Sequence, residues 1–209
     1  MKPVYAFEEA DSKNRMLLGG KGAGLSEMTQ LKLPVPSGFI ITTEVCNKYY
    51  DNNRKLSKDV MPLVMKNIAK MEKKTGKKWN STKNPLLVSV RSGAAISMPG
   101  MMDTILNLGL NEKTVEGFAE QTKNPRFSWD SYRRFIQLFG KVVFGVNDEK
   151  FDHVLDSAKT NQGTTEDSKL NVESLKKIVS EYKKICETHT KRKFPDSPNE
   201  QLGLAIEAV

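Results

Sequence analysis

The spacing of apolar residues changes near residue 110 and predicts two kinds of structure on either side. Before that point, short apolar runs at residues 4–7 and 39–42 are separated by glycine- and proline-rich turns, a pattern typical of strands. A helix is predicted after the glycines of residues 19–24, because Leu25, Met28 and Leu31 fall on one stripe. Two prolines shortly after this stripe must end that helix.

Two further helices are predicted in the same part of the chain. Thr43 is placed to cap a short helix that follows the second strand. From Asp59 to Thr75 the period is again helical, and the apolar residues on its common side are Val60, Val64, Ile68 and Met71.

The stretch from Leu86 to Leu110 predicts a hairpin around a loop of small residues and methionines. Alternation in the first arm gives an apolar face made of Leu86, Val88 and Val90. In the second arm the predicted apolar face consists of Leu106, Leu108 and Leu110. Arg91 then lies on the more polar side, where the first arm opens into the loop.

Beyond Asn111 nearly every segment is predicted to be helical. The strongest amphipathic stripe consists of Trp129, Tyr132, Ile136, Phe139 and Val143. Further helices are predicted over residues 149–159, 173–188 and 199–209. The expected fold class is therefore α+β, with an α/β lobe over residues 1–110, a helical subdomain over 111–194 and a return segment over 195–209.

Composition adds a bias toward anionic partners. The 209 residues carry a formal charge of +8, which leaves nucleotides, nucleic acids and acidic membranes open as partners. Lysines crowd the end of the helix predicted over residues 59–75, at Lys66, Lys70, Lys73, Lys74, Lys77, Lys78 and Lys83. Such a run forms either a solvated helix face with its exit loop or a nucleic-acid surface, and a basic, nonenzymatic nucleic-acid-binding module is the alternative function considered.

Cysteine usage and the amino-terminal residues argue for a cytoplasmic protein. The chain has two cysteines and therefore no disulfide framework. Its first 14 residues lack the apolar segment of a signal peptide, and no apolar run approaches the length of a membrane span. We therefore expect no membrane partner.

Arg91 is the first candidate for chemistry. The loop that follows it is rich in small residues, which let a backbone approach a ligand closely. A guanidinium can donate two parallel hydrogen bonds to a phosphate, or it can pair with a surface carboxylate. The spacing alone gives both interpretations equal weight.

The second candidate is the run GGKGAG at residues 19–24. Three glycines and an alanine surround Lys21 before a predicted helix, so free amides and a positive helix end lie near a cation. The run matches neither the Walker A loop nor the dinucleotide fingerprint, and a flexible turn remains the alternative to a phosphate-binding loop. Two cationic, glycine-flanked sites in one chain favour convergence on a single polyphosphate.

Metal and acid–base sites are poorly represented. Cys186 and His189 would supply half a metal site, but no second pair exists, and we expect no metal ligands in this chain. His153 is most simply a residue of a helix surface. With only these two histidines, no serine–histidine–aspartate arrangement can be built.

Three stretches resemble the amino-terminal part of the pyruvate phosphate dikinase family. They are LLGGKGAGLSEMTQLKLPVPSGFIITTEVCNKYY, PLLVSVRSGAAISMPGMMDTILNLGLN and NPRFSWDSYRRFIQLFGKVVFGV. FPDSPNEQLGLAIEAV fits the segment that follows, so that the resemblance covers essentially the whole chain. The loop SMPGMMDTILNLG is the part most specific to this family.

The resemblance implies an ATP-grasp nucleotide-binding domain whose first lobe carries a helical insertion. In the family, ATP, phosphate and pyruvate are interconverted with AMP, diphosphate and phosphoenolpyruvate through a phosphohistidine on another domain. Lys21 and Arg91 match residues that act on the ATP phosphates, both as catalytic and as nucleotide-binding groups. The loop closing over the nucleotide would contribute Gly100, Met101, Met102, Asp103 and Thr104. Gly24 stands where many members have asparagine.

Other parts that the family requires have no counterpart in these residues. The Mg²⁺ ligands, part of the adenine site, the phosphorylated histidine and the pyruvate-binding domain are all missing, as are the contacts of the expected homodimer. A monovalent cation is also implied for the whole enzyme. The chain ends in a helical pattern without a stop signal. We therefore expect a fragment that neither turns over nor binds ATP tightly by itself.

Overall fold

The computed structural model describes residues 2–93 and 103–209, which divide into two compact units. The first unit comprises Met1–Lys77 and Arg91–Asp103, and the second comprises Lys78–Val90 and Thr104–Val209. The boundaries of these two units differ from the predicted domain boundaries at residues 110 and 194. The division of the chain into three parts stays a prediction. The mixture of helices with two small sheets in the described residues agrees with the predicted α+β class.

The first unit begins with a two-stranded antiparallel sheet. Strand β1 (Val4–Ala6) pairs with β2 (Phe39–Ile41), with Val4 opposite Ile41. Both strands were predicted from their apolar runs. A 3₁₀ turn (Phe7–Glu9) follows β1. A small core beneath these elements consists of Phe7, Ala10, Leu18, Ala23 and Ile40.

Three helices complete the first unit, and α1 differs from its prediction. Helix α1 (Arg15–Gln30) begins before the glycine run and is kinked within it. Of the predicted stripe, Leu25 packs against the core, whereas Leu31 is 66% exposed and its assignment was wrong. The buried residues of α1 are Leu18 and four small residues, Gly19, Gly22, Ala23 and Ser26. Small residues are needed there because Gly22 lies against the side chain of Ile40.

Helices α2 (Thr43–Asp51) and α3 (Val60–Thr75) lie where the sequence predicted them. Val60, Val64 and Ile68 are buried, which confirms the apolar side of α3. The N-cap of α2 is Thr42, which makes no side-chain cap hydrogen bond. The prediction that Thr43 caps this helix was therefore wrong, and its hydroxyl bonds to α1 instead.

The second unit contains the hairpin and the carboxyl-terminal helices. Strand β3 (Val88–Arg91) is the neighbour of β4 (Thr104–Leu108), and Arg91 at the end of β3 falls in the residue range of the first unit. Alternating burial along β3 confirms its predicted faces. In β4 the alternation fails, because Asn107 adopts a left-handed φ of 57°. Ile105 is buried and Leu106 is exposed, the reverse of their prediction.

A long central helix organises the rest of this unit. The helices are α4 (Glu112–Thr122), α5 (Pro125–Phe144), α6 (Asp148–Gln162), α7 (Val172–Thr190) and α8 (Pro198–Ala208), with a 3₁₀ turn at Asp167–Lys169. The predicted stripe of α5 is confirmed, since Tyr132, Ile136 and Phe139 are fully buried. Aromatic residues of α5 pack on Phe194, which precedes α8.

Helix α8 is tied to the end of β4 by one buried glutamine. Gln201 accepts a hydrogen bond from the Gly109 amide at 3.3 Å and donates to the carbonyls of Leu110 and Pro195 at 3.1 and 2.9 Å. These bonds satisfy backbone groups that would otherwise be costly to bury. Among the residues described, no helix has both the length and the apolar character that crossing a membrane requires.

Candidate functional site

Gly19 interrupts α1 soon after the helix begins. Its φ of 70° and ψ of 161° lie in a region of backbone space that is essentially restricted to glycine. A Cβ atom at this position would also lie 2.0 Å from the carbonyl oxygen of Gly93. Glycine is therefore required at residue 19 both for the bend itself and for the close approach of a second segment.

The bend separates hydrogen-bonding groups that a continuous helix would pair. In an uninterrupted helix, the carbonyls of Met16 and Leu17 would accept from the amides four residues later, and Gly19 falls inside both turns. The hydroxyl of Thr43 instead donates to the carbonyl oxygen of Met16 at 2.6 Å and to that of Leu17 at 3.3 Å. Residues 20–30 thus start a second helical segment, whose first amides and positive dipole end suit an anion.

Lys21 lies in the first turn of this second segment and is half-buried. Ala23, two residues later, is buried in the same small core as Leu18 and anchors this helical segment to that core. In the part of the chain that the structure describes, no carboxylate lies within ion-pair distance of the Lys21 ammonium group. Its charge is therefore not neutralised by a described neighbour.

Arg91 lies at the exposed end of β3, as the alternation predicted. The amide of Ser92 donates to the carbonyl oxygen of Asp103 at 3.2 Å, which places the residue after β3 beside the residue before β4. Within residues 2–93 and 103–209, Arg91 makes no ion pair. None of those residues therefore supplies the surface carboxylate that the alternative interpretation of Arg91 requires.

The contact between Gly19 and Gly93 brings the two cation-bearing segments together. Consecutive Cα atoms are about 3.8 Å apart, so Lys21 and Arg91, each two residues from the contact, have their Cα atoms within about 8 Å of it. This places both backbones within side-chain reach of one extended anion. The roles assigned to the two side chains stay predictions.

The remaining predicted site residues are only partly described. Asp103 is exposed and directly precedes β4, and Thr104 is half-buried at the start of β4. Gly100, Met101 and Met102 lie outside the described residues. Their predicted contact with the nucleotide is not tested by the geometry.

The lysine run of α3 is partly engaged in ion pairs within the first unit. Lys70 donates to Glu9 at 2.7 Å, and Lys74 pairs with Glu8. Hydrogen bonds from Lys2 and Lys70 lower the pKa of Glu9 to about 2. These contacts give two of the lysines a local role and reduce the charge available to a nucleic acid.

Cys186 is fully buried in α7, and burial raises the pKa of its thiol to about 12. The thiol is therefore protonated at neutral pH, whereas a metal ligand or nucleophile must be a thiolate. Among the residues that the structure describes, no group of three histidine, cysteine, aspartate or glutamate side chains is arranged to hold a metal ion.

Sequence reasoning missed two contributors to this site. Gly93 was predicted to lie in a loop of small residues, but its contact with Gly19 depends on how distant segments meet. Thr43 was predicted to be an N-cap, and its position two residues after β2 was the only available signal. A residue that follows a strand packed beside α1 is able to reach that helix.

Comparisons with known proteins place these features in context. Residues 15–61 match the family model described as pyruvate phosphate dikinase, AMP/ATP-binding domain. This stretch contains the bend, Lys21 and Thr43, and it ends before Arg91. Over its whole length the chain is 52% identical to pyruvate, phosphate dikinase of Entamoeba histolytica and 47% identical to that of Clostridium symbiosum. It is 43% identical over 213 aligned residues to the chloroplastic enzyme of Mesembryanthemum crystallinum. The chain spans 24%, 24% and 22% of the lengths of these three relatives.

Proposed function

Because the chain belongs to the pyruvate phosphate dikinase family, we propose that it is part of an ATP-grasp nucleotide-binding domain and contributes the lobe that holds the ATP phosphates. The observation that carries this proposal is the match of residues 15–61, a stretch that contains the bend at Gly19 and Lys21. The approach of Gly93 to that bend supports a site shared with Arg91.

In the whole protein, this lobe would serve the interconversion of ATP, phosphate and pyruvate with AMP, diphosphate and phosphoenolpyruvate. The pyrophosphoryl group of ATP would pass to a histidine on another domain, phosphate would take one phosphoryl group, and pyruvate would receive the other. Neither His153 nor His189 belongs to the stretches that carry the family resemblance. The phosphohistidine and pyruvate-binding domains are therefore the partners expected for this chain, in a homodimeric, cytoplasmic enzyme.

Lys21 and Arg91 suit such a transfer on electrostatic grounds. Negative charge spreads over the phosphate oxygens as the group moves, and fixed cations stabilise this charge better than mobile water does. The amides that begin residues 20–30 would add donors beside Lys21. Gly100, Met101, Met102, Asp103 and Thr104 would cover the nucleotide from the loop that Arg91 precedes.

Magnesium and a monovalent cation are implied for the whole enzyme, and ATP is its substrate. The described residues of this chain do not fit a metal site by themselves, because they contain no group of three suitable ligands. The metal ligands are therefore expected in another part of the full-length protein, and the contribution of this chain to phosphate binding is made by its cations and amides.

The test separates the two half-reactions in the full-length protein that contains this segment. Lys21→Ala and Arg91→Ala should each abolish ATP-dependent phosphorylation of the histidine. Transfer between the phosphohistidine and pyruvate should continue at the native rate, because neither residue would take part in it. Lys66→Ala is a matched control, since Lys66 is an exposed lysine of the first unit.

A parallel fall of both half-reactions in the two variants would contradict the assignment to ATP phosphates. The nucleic-acid alternative would require salt-sensitive binding with a steep slope. No similarity found for the chain favours it, and two lysines of the proposed surface already pair with glutamates. A gel shift near physiological salt in which the chain binds no nucleic acid would dispose of it.

A further inference from the structure

We infer that Thr43 is a positioning residue for ATP binding, because its hydroxyl replaces helical hydrogen bonds that the bend at Gly19 removes. This inference rests on the proposed function of that bend. The hydroxyl donates to the carbonyls of Met16 and Leu17, and the helical turns that begin at these two residues both contain Gly19. Thr43 touches no ligand in this account and acts through the backbone of α1.

The physical argument concerns which groups a bent helix leaves unpaired. Pairing of the carbonyls of Met16 and Leu17 with amides four residues later would close the helix and draw those amides away from a ligand. A donor supplied from outside the helix satisfies the carbonyls and leaves the amides that begin residues 20–30 to face an anion. The Thr43 hydroxyl is that external donor, so the bent form is stabilised relative to the continuous one.

The location of Thr43 makes this donor rigid. It is the first residue of α2 and directly follows Thr42, a buried residue whose amide donates to the carbonyl of Pro3 at 3.0 Å. The β1–β2 sheet therefore fixes the backbone from which the hydroxyl reaches α1. Ile40, three residues earlier, packs against Gly22 on the other side of the bend. The segment from Ile40 to Thr43 thus holds the bend from both sides.

The experiment compares Thr43→Val, which keeps the branched shape and removes the donor, with Thr43→Ser, which keeps the donor. Both are made in the full-length protein that contains this segment. Thr29→Val is the matched control, because the Thr29 hydroxyl donates to the Leu25 carbonyl at 2.7 Å in the same helix, away from the bend. The readouts are the ATP concentration that gives half-maximal phosphohistidine formation and the rate of transfer to pyruvate.

Thr43→Val should raise the half-maximal ATP concentration about five- to tenfold, as expected for one lost hydrogen bond. Thr43→Ser and Thr29→Val should stay within about twofold of the native value, and transfer to pyruvate should be native in all three variants. A general loss of folding would lower both half-reactions together. If Thr43→Val does not fold, the smaller Thr43→Ala is used for the same comparison.

The inference would be overturned if folded Thr43→Val, or Thr43→Ala in its place, had the native half-maximal ATP concentration. It would also be overturned if Thr43→Ser, which keeps the hydroxyl, raised that concentration as much as Thr43→Val does. Lys21→Ala, measured in parallel, separates this failure from failure of the proposed function. If Lys21→Ala loses histidine phosphorylation and Thr43→Val keeps the native half-maximal ATP concentration, only the positioning role of Thr43 is overturned. Native phosphorylation in Lys21→Ala would overturn the assignment of the site itself.

Discussion

Replacing Gly19 with alanine perturbs the feature on which the site depends. A side chain at φ 70° and ψ 161° costs about 1–3 kcal/mol in backbone strain. The new Cβ would also lie 2.0 Å from the carbonyl oxygen of Gly93. Relieving that overlap by moving one backbone costs another 1–3 kcal/mol or so, as in overpacked cores. Gly19→Ala should therefore lower the free energy of unfolding of the first unit by about 2–6 kcal/mol.

Gly24→Ala provides a control within the same glycine run. Nothing lies within 4 Å of a Cβ placed on Gly24, and the residue lies in α1 without a positive φ. Alanine is favoured over glycine inside a helix by about 0.5–1 kcal/mol, so this variant should be neutral or more stable. The assay is denaturant unfolding of the 209-residue chain followed by far-ultraviolet circular dichroism. Equal stability of the two variants would refute the account of the bend.

Three other properties give independent checks. Asp130→Asn should cost about 1.5–3 kcal/mol in the free energy of unfolding, because it removes the carboxylate paired at 2.7 Å with the buried Arg133 and leaves Asp167, at 3.5 Å, as its ion-pair partner. In the native chain, an aromatic disulfide reagent near pH 8 should label exposed Cys46 rapidly and buried Cys186 only after unfolding. The reason is that burial shields the Cys186 thiol and raises its pKa to about 12. Rapid labelling of both cysteines would contradict the burial of Cys186. Lysine hydrogen bonds lower the pKa of Glu9 from 4.5 to about 2, so its carboxylate stabilises the fold above pH 4.5 and that contribution is lost as the pH falls toward 2. For so exposed a pair the contribution is at most about 1 kcal/mol, and Glu9→Gln should flatten that part of the pH–stability curve measured in low salt.

The elements predicted correctly are those whose own sequence decides their structure. The apolar period of α5 places Tyr132, Ile136 and Phe139 on one side, and all three are buried. Local periodicity is sufficient there because a helix of 20 residues with one apolar face has a single way to bury it. The same holds for α3.

Two of the features predicted wrongly depend on residues far away in the chain, and the third is a local backbone conformation. The bend at Gly19 exists beside Gly93, and no local pattern contains that contact. The hydroxyl of Thr43 was available as a helix cap, but it bonds to α1, which approaches it through the fold. The alternation of β4 fails at Asn107, whose left-handed conformation a period of two does not anticipate.

For the candidate site, the sequence identified two candidate cations, and the structure places their backbone segments close together. Lys21 was selected for the glycines around it and Arg91 for the loop of small residues that it opens, yet their separation along the chain left convergence as a hypothesis. The contact between Gly19 and Gly93 now gives that hypothesis a physical basis. It also gives a reason for the bend of α1 to lie at Gly19, two residues before Lys21.

Binding of one triphosphate by both Lys21 and Arg91 is tested most directly by a crystal structure of the full-length protein with a nonhydrolysable ATP analogue. We expect the Lys21 ammonium group and the Arg91 guanidinium group each to lie within about 3 Å of phosphate oxygens of one analogue molecule. A bound analogue whose phosphates contact neither group, or only one of them, would contradict it.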